Sequence, residues 1–323
     1  MILFVIVFTK TLLLVALAAV LTACSSGSLP IVPAGPPKRP PPAMVQVENA
    51  PQSRPHSGLQ RADLVYEYLT EGGITRFTVI YFSPNGGDKI GPVRSARLAA
   101  LRLQKSYGGV LFYSGASDHV LGLIEDGRVP AVDENTQGGH YFVRDPGRPP
   151  PHNLYTSQDR LLAGVQQSTQ KVDYQLPAHA EPPKGGDAVT KLSFQQTNAH
   201  SVAYIYSADS KTYLYASETG PEVDTENGKQ PLQITNVILV RVAHHGAGYT
   251  EDVLGEQGID FDLAGQGPAE FYSRGTHLTG SWDLSDPAKP LRFLDAKGKD
   301  LPLPAGLTWI HLVDPDLAVT ASA

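Results

Sequence analysis

The chain has 323 residues, 41% hydrophobic and 18% charged, with a formal net charge of -6 at pH 7. That composition is globular and excludes low-complexity or collagen-like chains. Acidity argues against nucleic acid as a partner, because phosphates are held chiefly by Lys and Arg, and a single cysteine excludes an internal disulfide.

After Lys10, the apolar stretch Thr11 to Ala23 is too short to span a bilayer and suits the core of a signal peptide. It closes on Leu21-Thr22-Ala23-Cys24, which is similar to the lipobox, where the cysteine is diacylated and becomes the first residue after cleavage. Residues 1–23 are therefore predicted as a lipoprotein signal peptide and Cys24 as the lipidation site, which puts the mature chain on a membrane, facing outside the cytoplasm. A membrane span running back to Met1 is the competing reading, disfavoured because Lys10 interrupts the apolar run. The apolar Met1 to Thr9 suggests a start codon placed too early. Residues 24–44 carry seven prolines and almost nothing able to fill a core. They read as a tether, reaching roughly 60 Å at about 3.1 Å per residue in polyproline geometry.

Residues 45–175 are predicted as an α+β domain. Leu64 to Leu69 and Ile74 to Phe82 read as strands joined at Glu71-Gly72-Gly73, a hairpin signal. Pro92 to Ser106 reads as a helix, with Pro92 near its first turn. Val110 to Tyr113 follows as a strand. Short helices follow at Ser117 to Glu125, stopped at Gly127, and at Ser157 to Gln166. Residues 176–186 (LPAHAEPPKGG) read as a linker. Residues 187–318 read as a second domain of mainly antiparallel strands, a sandwich or partly open barrel. Its strands are expected at Val202 to Tyr206, Lys211 to Tyr215, Asn236 to Val242, Ala269 to Tyr272, His277 to Trp282, Leu291 to Leu294 and Leu307 to Val313, with residues 319–323 as a tail. Lys and Arg number 13 against 13 Asp and Glu over residues 45–175, but 10 against 19 over residues 176–323.

Chemistry concentrates in Glu67, Glu71, Arg76, Arg94, Ser95 and Arg97. If Pro92 to Ser106 is helical, Arg94 and Arg97 share one face of its first turn, where two guanidinium forks and free backbone N–H groups suit a carboxylate or phosphate. Cations are not what a helix N-terminus prefers, so the arginines point to an anion, either a ligand or the chain's own Glu67 or Glu71. An internal ion-pair network is the blander reading and the favoured one. A second group is Pro151-His152-Asn153-Leu154-Tyr155-Thr156-Ser157, preceded by His140, Arg144 and Asp145. There His152 could serve as acid or base, with Asn153 orienting a substrate, although a histidine that simply holds a loop is commoner. Ser114-Gly115-Ala116-Ser117-Asp118-His119 tempts a triad reading, but consecutive residues cannot supply that geometry, and helix capping explains them. His244-His245, Asp260/Asp262 and Asp314/Asp316 match no metal-binding spacing, so no metal is assigned. No nucleotide fingerprint occurs, and no cofactor is called for.

Asn49 to Ser53 (NAPQS), Arg54 to Leu59 (RPHSGL), Ala62 to Glu67 (ADLVYE), Glu71 to Phe77 (EGGITRF), Ile90 to Arg97 (IGPVRSAR) and Pro151 to Ser157 (PHNLYTS) closely resemble segments of the YerB-like family of bacterial lipoproteins. The resemblance spans nearly the whole mature chain, including Gly280-Ser281-Trp282 and Gly306 to Ile310. It implies a two-domain exported lipoprotein, and it places Glu71, Arg76, Arg94, Ser95, Arg97, His152 and Asn153 in signature segments. The family's role is unassigned, so the resemblance transfers no reaction.

The leading expectation is a non-catalytic envelope module, tethered by lipid at Cys24, that binds an anionic cell-wall component or a partner protein through Arg94 and Arg97, with Arg76, Ser95, Glu71 and Asn153 around them. The alternative is an extracytoplasmic hydrolase or transferase acting on wall material, with Glu71 or His152 as acid or base. A third reading is an assembly factor whose acidic second domain docks on a basic partner.

Overall fold

Val45, Val47, Val65, Phe77 and Val79 are buried on one side of their strands, while Met44, Tyr66, Tyr68 and Ile80 are buried on the other. A strand's two-residue period sends neighbours to opposite faces, so a sheet apolar on both must be covered on both. The computed structural model describes residues 38–323, and it meets this demand with three layers. The predictions for residues 1–37, including the signal peptide, Cys24 and most of the tether, lie outside the described residues.

The middle layer is a mixed sheet of 11 strands. Ten lie on one path: Arg292–Asp295, Thr276–Leu284, Gly265–Ser273, Asn236–Arg241, Thr308–Val313, Leu64–Leu69, Thr75–Tyr81, Ala43–Glu48, Val110–Tyr113 and Ala131–Asp133. The expected hairpin across Glu71-Gly72-Gly73 is present, with Tyr68 opposite Arg76. Thr308–Val313 runs parallel to both Asn236–Arg241 and Leu64–Leu69, which sets Val65 beside Trp309 and Glu67 beside His311. Strands from both halves of the sequence thus share one sheet.

Over one face lies a second, antiparallel sheet of 6 strands, including Lys191–Thr197, His200–Ser207 and Thr212–Ser217. Its Phe194, Tyr204 and Tyr215 pack on Trp309 and its neighbours, joined by Leu161 and Val165 from a helix, Gln158–Gln167. Over the other face lie helices Leu98–Tyr107 and Asp118–Asp126, with Phe261 of the His244–Thr250 and Gln257–Phe261 hairpin. The α+β first part and the mainly antiparallel second part agree with expectation, and neither sheet closes into a barrel among the described residues.

Four differences have physical reasons. The helix expected from Pro92 begins only at Leu98, with Arg97 as N-cap. Residues 91–96 spend their backbone groups on other segments: Glu48 donates to the Pro92 carbonyl, Val93 to Leu154, Arg94 to Gln46 and Ala96 to Gly115, so none remain for a helical turn. The tail is not loose, because Val319–Ser322 pairs along Lys191–Thr197 as an edge strand. The tether's last residues, Ala43 and Met44, already belong to a buried strand. A helix over Glu134–Tyr141 arises from an unremarkable stretch, its start held by Asp133, which accepts from the Asn135 N–H.

Candidate functional site

Sheet register brings the Arg cluster together. Arg76 lies opposite Tyr68 on one neighbouring strand and Glu48 on the other, and the extended 91–97 segment crosses the end of these strands. Arg76 is almost fully buried; one Nη donates to the Ser95 carbonyl at 2.8 Å, its other Nη lies 3.9 Å from Glu71, and its Nε has no partner. Burial, then the neighbouring Arg97 charge, pulls its pKa down to about 10. Arg97 grips Glu71 with two N–H groups and lies 3.5 Å from Glu251. Burial works to raise the Glu71 carboxyl, but the Arg97 bonds and the charges of Arg76 and Arg97 outweigh it and hold the pKa at about 2.

The shared helical face expected of Arg94 and Arg97 is therefore wrong. In extended chain the two side chains diverge, Arg97 to Glu71 and Glu251, Arg94 to Glu48. Nor is there net positive charge to spare: three guanidiniums meet three carboxylates, Glu48, Glu71 and Glu251. Glu71 and Arg97 satisfy one another, which fits the internal-network reading for that pair. What remains unused is bonding capacity at Arg94. Its side chain is 35% exposed and comes closest to Glu48 through Nε at 3.4 Å. Its two Nη groups make no hydrogen bond among the described residues, in contrast to Arg97.

Around Arg94 the polar contacts close into a ring. Glu48 also takes His152 Nδ1 at 2.8 Å. The next residue, Asn153, is buried; its Oδ1 accepts from Arg144 at 3.1 Å and its amide donates to the Asp145 carbonyl. Arg144 donates to Glu134 at 3.0 Å, and Glu134 accepts from Ser114 Oγ at 3.0 Å. The Ser114 N–H donates to the Arg94 carbonyl at 3.1 Å, which returns the ring to its start. Glu134 sits in the first turn of its helix, where a carboxylate is favoured. His152, Arg94 and the half-exposed Arg144 show parts of their side chains to solvent along this ring.

Glu71 and His152 are not brought together. The open recess beside Glu71 is walled by the 69–73 turn and the His244–Ile259 hairpin, without His152. Ser117 caps its helix as expected, accepting from the Val120 N–H. His244 pairs with Asp314 and His245 with Asp262, while Asp260 takes Arg102.

A second cluster occupies the opposite face, and sequence reasoning missed most of it. Glu67 is fully buried and accepts from His200 at 2.7 Å, Thr75 at 2.9 Å, Trp309 at 2.9 Å, Asn49 at 3.2 Å and Tyr215 at 3.3 Å. His200 bonds a second carboxylate, Glu218, at 2.6 Å, so both ring nitrogens carry protons. Burial opposes that charge, but Glu67 and Glu218 raise the pKa of His200. His311 is the reverse: Nδ1 faces the Gln196 side-chain amide oxygen and Nε2 faces the Tyr204 hydroxyl, a neutral tautomer, and burial lowers its pKa to about 4. Burial likewise works to raise Glu67, but the charge of His200, that of His311 once acid protonates it, and the bonds from His200 and Trp309 hold it at about 2. Arg54 joins Glu218, Glu222 and Asn49 at the cluster's edge. Strand alternation could have revealed part of this, since it puts Glu67 on the face of Val65 and away from Tyr68 and Arg76. Nothing near His200 in the sequence marks it.

Residues 31–173 match the family described as "Protein of unknown function (DUF3048) N-terminal domain", and residues 190–310 match its C-terminal domain. Over 287 residues the chain is 30% identical to "Putative lipoprotein YerB" of Bacillus subtilis (strain 168), covering 85% of this chain and 82% of that one. The crystal structure of the YerB protein from Bacillus subtilis superposes with a TM-score of 0.73 at 29% identity, covering 88% of this chain and 94% of that one.

Proposed function

The chain belongs to the two-domain DUF3048 family, and on that premise we propose that it is a lipid-anchored envelope protein that binds an anionic wall component at Arg94. Cys24 carries the anchor, outside the cytoplasm, and the binding module is non-catalytic. The ligand group is a carboxylate or phosphate, as found on peptidoglycan stems and wall polymers. It docks on the two unpartnered Nη groups of Arg94, with His152 and Arg144 beside it. Arg76, Ser95, Glu71, Arg97 and Asn153 position this face from within.

The observation that carries the reading is the contrast inside one cluster: Arg97 is consumed by Glu71 while Arg94, a few residues away, keeps its fork for a partner. A fork that can bond an anion bidentately is the common device for such groups. The hydrolase alternative draws less support, since Glu71 near pKa 2 has no proton to give at neutral pH and the recess beside it is lined without His152.

The test is calorimetry with inorganic phosphate and with soluble peptidoglycan fragments, beside thermal melting. Wild type binds one of them, and Arg94→Ala loses about tenfold or more in affinity, as expected for a charged hydrogen-bonding group, with its melting point kept. Absence of binding by the wild type, or a large drop in the melting point of Arg94→Ala with unchanged affinity, overturns the reading.

A further inference from the structure

Where the end strands of both halves meet, the structure holds a cavity of about 270 Å³. Its walls include Leu64, Phe82, Leu291, Phe293, Leu301 and Leu307, and the Leu176 to His179 stretch lies along it. Leu64, Phe82 and Phe293 are only half buried although they pack on the core around them. The charged groups at the rim are largely engaged already: Arg61 with Asp88, Asp300 with Arg292, and Asp63 with the Phe82 N–H. A polar occupant would leave its own groups unpaired against carbon walls, whereas an apolar one gains from burial.

Size narrows the choice. The volume falls just under the range of about 300–1,000 Å³ for small-molecule sites, and a helix about 10 Å across does not fit. A single flexible hydrocarbon chain does. Position adds a source: the folded body begins beside this cavity, with the Arg39 guanidinium 5.2 Å from the Phe82 ring and 4.8 Å from the Tyr174 ring. The source rests on the anchor proposed at Cys24, fifteen residues earlier in the chain, which makes bilayer lipid the hydrocarbon at hand.

We propose that this cavity is a binding site for one hydrocarbon chain of a membrane lipid. The site is separate from the Arg94 face, and either can fail without the other.

The mature chain carrying Cys24→Ser has no acyl group of its own, so any occupant comes from outside. It is titrated with a fluorescent long-chain fatty acid, which is then displaced by saturated fatty acids of increasing length and by a lysophospholipid. Each added methylene tightens binding about fourfold until the cavity is full, the factor set by the transfer of one CH₂ from water. The lysophospholipid competes as well as a free acid of equal length. Ala178→Trp, at an exposed lining position, weakens binding by about tenfold or more with unchanged melting, and Arg94→Ala binds as wild type does. A flat length series, equal binding by Ala178→Trp, or no uptake of the probe overturns the proposal.

Discussion

One sheet carries two ionic clusters, one on each face, and they differ in whether they close. Around Glu67 the carboxylate receives donors on both oxygens, one imidazole is charged between two carboxylates and the other is neutral between an amide and a phenol. Around Glu48 and Glu71 the accounts do not close. Arg76 leaves its Nε unmatched, and Arg94, partly exposed, makes no hydrogen bond through its Nη groups among the described residues. The first cluster is covered by the second sheet; the second sits where the sheet ends, under an extended segment and short helices. Buried charge with all its partners holds a fold together, and only charge left short of partners can serve something outside it.

The hardest blow to this contrast is Glu67→Ala. It leaves His200 charged beside Glu218 alone and orphans the Trp309 N–H, so stability falls by about 3–5 kcal/mol, the usual cost of breaking a buried pair. Urea unfolding with the slope held fixed reads that loss. A loss under about 1 kcal/mol would mean the closed cluster is no keystone.

Next in size is the pH profile. Glu67 titrates at about 2 in the fold against an ordinary 4.5, so its contribution, on the order of 3 kcal/mol, is present above pH 4.5 and lost as pH falls toward 2. His311 titrates at about 4 against an ordinary 6.5, so its share is present above 6.5 and lost as pH falls through that window. His200 is raised, so its share is full below 6.5 and lost as pH rises through its folded value. Stability measured against pH should therefore decline on both sides of an intermediate maximum. His200→Gln should flatten the alkaline limb and also shrink the acid limb, because it removes the chief group that holds Glu67 low. An unchanged alkaline limb would show that His200 does not carry its charge into the fold.

Arg97→Ala comes third, at about 2–3 kcal/mol, because it strips Glu71 of two bonds while Arg76 stays nearby to share the charge. Thermal melting checks it. Glu71→Gln, which keeps the shape and removes the charge, should cost about the same; a neutral result would make the pair ornamental.

How far the sequence spoke depended on the range of the physics involved. The Glu71-Gly72-Gly73 hairpin, the Ser117 and Ser157 caps and the strands of the second half are local matters of period and turn chemistry, and they were legible. The helix start was not, because whether Pro92 to Arg97 bond to themselves or to Glu48, Gln46, Leu154 and Gly115 depends on what lies next to them in space. For the same reason Arg94 and Arg97 were seen together and Glu48 was overlooked. A carboxylate forty-six residues from its arginine is paired with it by the sheet alone. The merging of both halves into one sheet rests on the pairing of Leu64–Leu69 with Thr308–Val313, which no local pattern announces.

The smallest expected effect on stability is also the one that separates the clusters most sharply. Arg94→Ala removes a side chain that is about one-third exposed and comes no closer than 3.4 Å to Glu48, and such a pair, screened by water, contributes about 0–1 kcal/mol. Its loss leaves Glu48 with His152 at 2.8 Å, so no carboxylate is stranded. If Arg94 belonged to the fold as Arg97 does, melting would register its removal nearly as strongly. If it belongs to a ligand, melting barely moves while phosphate or wall-fragment affinity drops, and Arg94→Lys, which keeps charge but not the fork, recovers only part of it. Measuring Arg94→Ala and Arg97→Ala side by side, by melting and by calorimetry, therefore gives opposite signatures for two arginines three residues apart.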